Sequence, residues 1–321
     1  KHESISLLAM YKELISYAIP FVFVGLAIPL YQFIDTATMV KALKAAGFVQ
    51  REAEVIYATV NQTTNKIIMI PVSVATAIGL TLIPTITKTY TSGNKKILHQ
   101  QITQTYQMLL FLTVPAAVGL SILSYPAYGA LYAMREVEIG GELLRWYAPT
   151  AILFALFTVS AAILQGINRQ TYAVVALAGG VLLKLLLNHW FVVRWGGMGA
   201  ILATDIGYVF SVLFCFSMIK KRIHYHVAFL TKRALLIAIF VTIMGIAVWI
   251  VKLPVEWLFP GEYGDGGSYV QALMSLIVGV VTGAFVYFWL GVRSNLVKQI
   301  FGDRFAFFNR KRPKRKAGLS R

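Results

Sequence analysis

Apolar stretches long enough to cross a lipid bilayer recur along the whole of this chain. A membrane-spanning helix needs about 20 mostly apolar residues, because the hydrocarbon core is about 30 Å thick and a helix rises about 1.5 Å per residue. Mean hydropathy is +0.68 and only 13% of residues are charged, as expected of an all-α polytopic membrane protein. Eight stretches qualify, numbered here as the first to eighth predicted spans: residues 14–40, 66–87, 105–125, 146–167, 171–193, 197–219, 234–251 and 269–291.

The distribution of Lys and Arg predicts the orientation of these spans. With the N-terminus placed in the cytoplasm, 21 of the 30 basic residues fall on the cytoplasmic side and eight on the outer side. Cytoplasmic loops of membrane proteins carry this excess of positive charge. Both termini are therefore predicted to be cytoplasmic, in a multi-pass protein of the cytoplasmic membrane.

The C-terminal residues 293–321 are strongly basic and include the run RKRPKRK at 310–316. Such a run can bind nucleic acid, but next to a membrane span it favours attraction to the anionic inner leaflet. Apolar residues in 293–308 recur at near-helical spacing, which fits a helix lying in the membrane interface. A disordered tail is the alternative.

Few features of the sequence point to enzyme chemistry. The one cysteine, Cys215, lies in the sixth predicted span and has no partner for an intramolecular disulfide. The chain has no nucleotide-binding glycine loop, no nucleophile elbow and no acidic pair spaced for glycosyl chemistry. We therefore expect a protein that is not an enzyme and that carries no organic cofactor.

Three ionisable residues, Asp35, Lys184 and Asp205, lie inside predicted spans. A charge at the bilayer centre costs about 3 kcal/mol on insertion scales, so such residues usually face a protein interior or a water-filled path. Counting along each helix places them, with Asn188 and Thr204, within about 8 to 14 Å of the outer membrane edge. Lys184 and Asn188 are four residues apart and share a helix face. The five side chains are predicted to converge.

Two arrangements of this group are consistent with the sequence. The Lys184 ammonium can lie between the carboxylates of Asp35 and Asp205, or a cation can replace it there. The group is then either a static ion pair that fixes helix packing or a site for a coupling ion or proton. The sequence favours the second interpretation, because charges inside membranes are so often functional.

Several motifs, in order, resemble those of a known transporter family. They are IPVSVATAIGLTLIPTITKTYTSGNKK at 70–96, LQGINRQ at 164–170, KLLLN at 184–188 and GGMGAILATDIGY at 196–208. The combination, spanning residues 1–292, resembles the polysaccharide and lipid-linked oligosaccharide exporters of the multidrug, oligosaccharidyl-lipid and polysaccharide (MOP) superfamily, whose members are MATE-like. The similarity is greatest to the SpoVB and YtgP branch, which is related to the lipid II flippase MurJ.

This resemblance implies a fold of two six-helix lobes around a central cavity, often followed by two further helices. Residues 1–219 would be the C-terminal six-helix transport lobe, 220–292 two additional transmembrane helices and 293–321 a basic cytoplasmic tail. The N-terminal lobe would belong to the full-length protein.

The resemblance also implies a function, which is export of a lipid-linked cell-envelope saccharide, such as a peptidoglycan precursor, by alternating access. Such rocking around a central site needs no covalent chemistry. The expected partners are the lipid-linked oligosaccharide and membrane lipids, with no nucleic acid. A cation-coupled multidrug antiporter of the same superfamily and a noncatalytic membrane scaffold are the alternatives.

Some relatives in the resembled group have a monovalent-cation site made by an Asp, an Asn and a Thr, and Asp35, Asn188 and Thr204 match these types and positions. Relatives with that site can carry another carboxylate one turn after the Asn, where this chain has Val192. Lys184 adds a positive charge. Sodium coupling, proton coupling and a cycle driven by membrane potential all stay open.

Lys184 is also the first candidate for contact with an anionic substrate group. Arg169, at the predicted cytoplasmic mouth, is the second, although a loop charge that sets topology is the better explanation of this residue.

Overall fold

The structure, a computed structural model, describes residues 7–223, 228–258 and 266–301. Within these ranges the chain forms helices and short connections and contains no β-strand, so the prediction of an all-α chain is confirmed. Residues 302–321, which hold most of the predicted basic tail, lie outside the described residues.

The helices, numbered in chain order, are α1 Leu7–Gly25, α2 Ala27–Ala45, α3 Gln50–Ala58, α4 Asn65–Thr91, α5 Lys95–Ile122, α6 Ser124–Leu131, α7 Val137–Tyr147, α8 Thr150–Gly166, α9 Gln170–Trp195, α10 Gly197–Ile223, α11 Ala228–Leu258, α12 Gly266–Arg293 and α13 Leu296–Phe301. A π-helical segment, Thr59–Thr64, joins α3 to α4, and the two form one helix of 42 residues.

Six helices in the described part of the chain are long and apolar enough to cross a membrane, and the number rises to eight if each of two bent pairs is one span. The bent pairs are α1 with α2, at 54°, and α7 with α8, at 43°. Prolines inside or at the ends of the first and fourth predicted spans, 14–40 and 146–167, predict kinks there, and both spans are bent in the structure.

A proline lies close to each break, and proline has no N–H to donate to the carbonyl four residues earlier. Pro29 lies in the first turn of α2 and leaves the carbonyl of Gly25 without its helical donor. Pro149 does the same to the carbonyl of Arg145, and the Ser121 hydroxyl donates to that oxygen at 2.7 Å.

The α9 and α10 helices pack side by side, and α2 packs on α9. Glycine permits the closest approach: a Cβ on Gly180 would lie 2.5 Å from the carbonyl oxygen of Gly207, and a Cβ on Gly207 would lie 2.6 Å from that of Gly180. Small residues at such contacts let membrane helices approach closely. The buried residues of α9 form a single stripe: Ala173, Ala176, Leu177, Gly180, Lys184, Asn188 and Val192.

The α11 and α12 helices pack on each other, and α11 also packs on α5. Their contacts form a second apolar cluster, separate from the main core. In α13 the side chains of Leu296 and Ile300 are buried in this second cluster. The described part of the predicted interfacial segment 293–308 therefore packs its apolar side on protein. The division of the chain at residues 219 and 292 stays a prediction.

Candidate functional site

A group of polar side chains is buried where α2, α9 and α10 meet. Relative exposure is 0% for Lys184 and Asn188 and 3% for Asp35 and Thr204. With Thr38, which is half-buried, these residues are called the Lys184 cluster below. The prediction that intramembrane polar residues from these three helices converge is confirmed for Asp35, Lys184, Asn188 and Thr204.

The Lys184 ammonium is held by two oxygens on different helices. Its Nζ lies 2.6 Å from Asp35 Oδ2 on α2, which makes a buried ion pair. It also donates to Thr204 Oγ1 on α10 at 2.8 Å. The Thr204 hydroxyl donates its own hydrogen to the carbonyl of Ala200, at 2.8 Å. Its oxygen therefore acts only as an acceptor towards the ammonium.

Asn188 makes a second link between α9 and α2. Its Nδ2 donates to Thr38 Oγ1 at 2.8 Å, and the Thr38 hydroxyl donates to the carbonyl of Ile34 at 2.7 Å. Because that hydroxyl has one hydrogen, the Asn188 atom facing it must be the amide nitrogen. Asn188 Oδ1 is left buried without a hydrogen-bond partner among the described residues, as is Asp35 Oδ1.

Two stacked tyrosine rings separate the Lys184 cluster from a nearby cavity. Lys184 Nζ lies 5.5 Å from the centre of the Tyr31 ring, and Tyr31 stacks on Tyr208 with ring centres 4.2 Å apart. Tyr208 lines a cavity of about 170 Å³ between α1, α4, α8 and α10, which also contacts Gln165 and Thr158. The ion pair is thus one aromatic layer away from this space.

Asp205 does not pair with Lys184. Its Oδ1 accepts a hydrogen bond from Thr150 Oγ1 at 2.6 Å, and the residue is half-buried. Consecutive residues on a helix point about 100° apart, so α10 turns Thr204 towards α9 and Asp205 towards α8. The hypothesis of an ammonium held between the Asp35 and Asp205 carboxylates is therefore wrong in this structure.

Arg169 lies far from the Lys184 cluster. It is exposed at the N-cap of α9, and Lys184 lies fifteen positions further along the chain, which corresponds to about 22 Å of helix. The two candidates for contact with a substrate anion are not brought together.

Three members of the site were missed by sequence reasoning. Tyr31 and Thr38 lie four residues before and three residues after Asp35, which places all three on one face of α2. Helical spacing from Asp35 would have found them. Thr150, which bonds Asp205, carried no such signal, because its partner is 55 residues away in the chain.

The residues of the Lys184 cluster do not fit a free sodium ion while the Lys184 ammonium occupies the same oxygens. A cation at Asp35 Oδ2 and Thr204 Oγ1 would stand where the ammonium already donates. In the described part of the chain, no group of three or more His, Cys, Asp or Glu side chains is placed to hold another metal ion.

Comparison with known proteins identifies the family. The family model described as "Lipid II flippase MurJ" matches residues 11–263. The chain belongs to the lipid II flippase MurJ family. It is a multi-pass protein of the cytoplasmic membrane, as this family membership and its long apolar helices indicate.

Individual relatives show the extent of the similarity. The lipid II flippase MurJ of Bacillus subtilis (strain 168) is 48% identical over 304 residues, which cover 94% of this chain and 55% of that protein. The uncharacterized membrane protein YabM of the same organism is 24% identical over 306 residues, or 94% of this chain and 56% of that protein. The chain thus spans about half the length of these relatives.

A solved structure supports the fold alone. A lipid II flippase MurJ in its inward closed conformation matches with a TM-score of 0.64 at 15% identity, covering 94% of this chain and 57% of that one. The arrangement of helices is therefore that of one half of a MurJ protein.

Proposed function

We propose that this chain takes part in moving a lipid-linked cell-envelope saccharide, of the peptidoglycan-precursor class, across the cytoplasmic membrane by alternating access. The observation that carries this proposal is the family match over residues 11–263, together with 48% identity to a protein named as a lipid II flippase. In this mechanism the helices rock around a polar path and no covalent bond is made or broken. The proposed role is therefore that of a transporter and not of an enzyme.

In the proposed arrangement each bent pair is one span, which gives eight. Residues 1–219 form the C-terminal lobe, 220–292 add two helices, and both termini lie in the cytoplasm. A second, N-terminal lobe completes the central cavity, in line with relatives almost twice as long as this chain.

An exposed face of α4 supports a polar cavity beside this lobe. Ser73, Thr81 and Thr85 are exposed on one side of that helix, together with the apolar side chains of Ile70 and Val74. Each hydroxyl donates to a backbone carbonyl of its own helix, and its oxygen stays free to accept further bonds. The exposed face of α9, by contrast, carries Leu182, Leu186 and Trp190 and is suited to lipid. We assign the α4 face to the path of the saccharide.

We assign the coupling step to the Lys184 cluster with Asp205. The ion pair and the Asn188–Thr38 bond tie α9 to α2, and the Lys184–Thr204 bond ties α9 to α10. A proton arriving at Asp35 would cancel the charge that holds Lys184 and loosen α2 from α9. Membrane potential acting on these charges is the other source of energy open to the same site.

The substrate anion is better assigned to Arg169 than to Lys184. Lys184 is fully buried and already donates to two oxygens, so a phosphate cannot reach it in this conformation. Arg169 is exposed at the predicted cytoplasmic end of α9 and can meet an incoming headgroup.

The test uses the gene at full length in a bacterial strain depleted of its own lipid II flippase. We expect growth to be restored and labelled lipid-linked precursor to reach the outer surface. A normally inserted protein that restores neither would contradict the proposal. Movement of organic cations without the saccharide would favour the multidrug antiporter.

Asp35→Asn tests the coupling role in the same strain. It keeps the size of the side chain and removes the charge that faces Lys184, so we expect export to fall at least tenfold, a loss worth about 1.4 kcal/mol. Glu138→Gln, which removes one exposed carboxylate at the start of α7, is the matched control and should leave export unchanged. Full activity of Asp35→Asn at normal protein level would remove the coupling assignment.

A further inference from the structure

The oxygens around the Lys184 ammonium resemble the ligand shell of a bound cation. Thr204 Oγ1 has committed its hydrogen to the carbonyl of Ala200, and Asp35 contributes a carboxylate. Asn188, one turn from Lys184 on the same face of α9, has its amide nitrogen turned to Thr38 and a buried Oδ1 left over. Side-chain oxygens that only accept are what hard cations bind in proteins.

Two of these oxygens lack a partner. Asp35 Oδ1 and Asn188 Oδ1 are both buried and receive no hydrogen bond from the described residues. A buried acceptor without a donor is costly, and a static ion pair optimised for packing would be expected to satisfy it. Their lone pairs are available to a cation that replaces the ammonium between Asp35 and Thr204.

We propose that the Lys184 ammonium is a tethered substitute for a free monovalent cation, and that shortening this side chain opens a monovalent-cation site formed by Asp35, Thr204 and Asn188. The protein as it stands then carries its cation on the chain and has no requirement for sodium. That consequence for transport rests on the proposed function, whereas the cation site itself does not.

Lys184→Met is the variant that isolates the ammonium. Methionine has the same unbranched stem as lysine but is shorter by one atom, so it vacates the position of Nζ while still packing beside Tyr31. Lys184→Arg keeps a positive charge on the chain and is the matched control. Asp35→Asn combined with Lys184→Met removes the carboxylate that the free cation would need.

The experiment measures thermal unfolding and binding of radioactive sodium by purified full-length protein, with choline replacing sodium at constant ionic strength. We expect the wild type and Lys184→Arg to show the same unfolding midpoint in both salts and no saturable sodium binding. Lys184→Met should unfold at a higher temperature in sodium, lithium or potassium than in choline, and should bind about one ion per chain because a ligand stabilises the state that binds it. The double variant should lose this response.

Three results would overturn the inference. They are saturable sodium binding by the wild type, a folded Lys184→Met protein that responds to none of the three ions, and a response that survives Asp35→Asn. If Lys184→Met is recovered only in the presence of one of these ions, the inference is supported. If Lys184→Met is not recovered in any salt, the unfolding midpoint of the wild type is the deciding measurement. A midpoint that is higher in sodium than in choline would contradict a tethered cation. These binding and unfolding measurements do not depend on saccharide export. A protein that fails to export the saccharide would contradict the proposed function and not the cation site.

Discussion

Two helix packings in this molecule differ in the side chains that they bury. In the first, α9 packs with α2 and α10. In the second, α11 packs with α5 and α12. The first buries Lys184, Asp35 and Asn188 among small residues. The second is an apolar cluster with aromatic contacts, in which Phe111 and Tyr287 have ring centres 4.9 Å apart. One inter-helix hydrogen bond within it runs from the Tyr287 hydroxyl to the carbonyl of Phe111, at 2.9 Å.

This difference matters because lipid is as apolar as leucine and gives no hydrophobic drive for helices to associate. The second packing is held largely by van der Waals contact that many apolar sequences could supply, with the Tyr287 bond and a bond from Arg233 on α11 to Gln107 on α5 beside it. The first is held by charges and hydrogen bonds that have one geometry and a high cost when one partner is lost. A packing of that kind can switch between discrete states, which transport requires, whereas the second packing is suited to a constant support.

The largest expected effect comes from breaking the ion pair on one side. In sodium-free buffer, Asp35→Asn and Lys184→Met should each lower the free energy of unfolding by about 3 to 5 kcal/mol, because each leaves a buried charge unpaired. The double variant should lose much less than the sum of the two. Unfolding of all four proteins in detergent gives the coupling energy of the pair directly. Additive losses would show that the two charges do not depend on each other.

Helix geometry explains why the site could be located from sequence. The rise per residue is fixed, so counting from the predicted ends of three spans placed Asp35, Lys184 and Thr204 at one depth, where the structure joins them within 2.8 Å. The rotation of α10 about its axis could not be obtained in this way. It follows from the contact of Gly180 with Gly207, which turns Asp205 away from Lys184.

The prolines predict kinks in several spans, but which of these prolines bend a helix could not be obtained from the sequence, for a related reason. Apolar length predicts that a stretch such as 14–40 can span a bilayer, and prolines within it predict only that a kink is possible. Pro71, Pro84 and Pro115 lie inside α4 and α5 without ending them, whereas Pro149 lies at a break where the Ser121 hydroxyl donates to the freed carbonyl of Arg145. That partner is 24 residues away in sequence and carries no local signal.

A smaller loss is expected when the α9–α10 contact is forced apart without touching a charge. Gly180→Ala places a Cβ 2.3 Å from Ser211 Oγ and 2.5 Å from the carbonyl of Gly207, so the helices must separate. Overpacking of this kind costs about 1 to 3 kcal/mol. Thermal unfolding in detergent measures the loss. Gly119→Ala is the matched control: its Cβ meets nothing within 4 Å, and the better helix propensity of alanine should raise stability slightly. Equal effects at the two positions would contradict the close approach of α9 and α10.

The smallest of these effects is expected in the second packing. Tyr287→Phe keeps the ring on Phe111 and removes the hydroxyl that donates to its carbonyl, a change worth about 0.6 kcal/mol for an average hydrogen bond inside a membrane protein. Tyr269→Phe removes an equivalent hydroxyl from a residue of α12 that is 40% exposed, and it should change the unfolding midpoint less. Export should be normal for both, because neither hydroxyl lies near Lys184. A Tyr287→Phe protein that folds normally but exports poorly would show that α12 moves with the ion pair, and the two packings would then have to be treated as one mechanical unit.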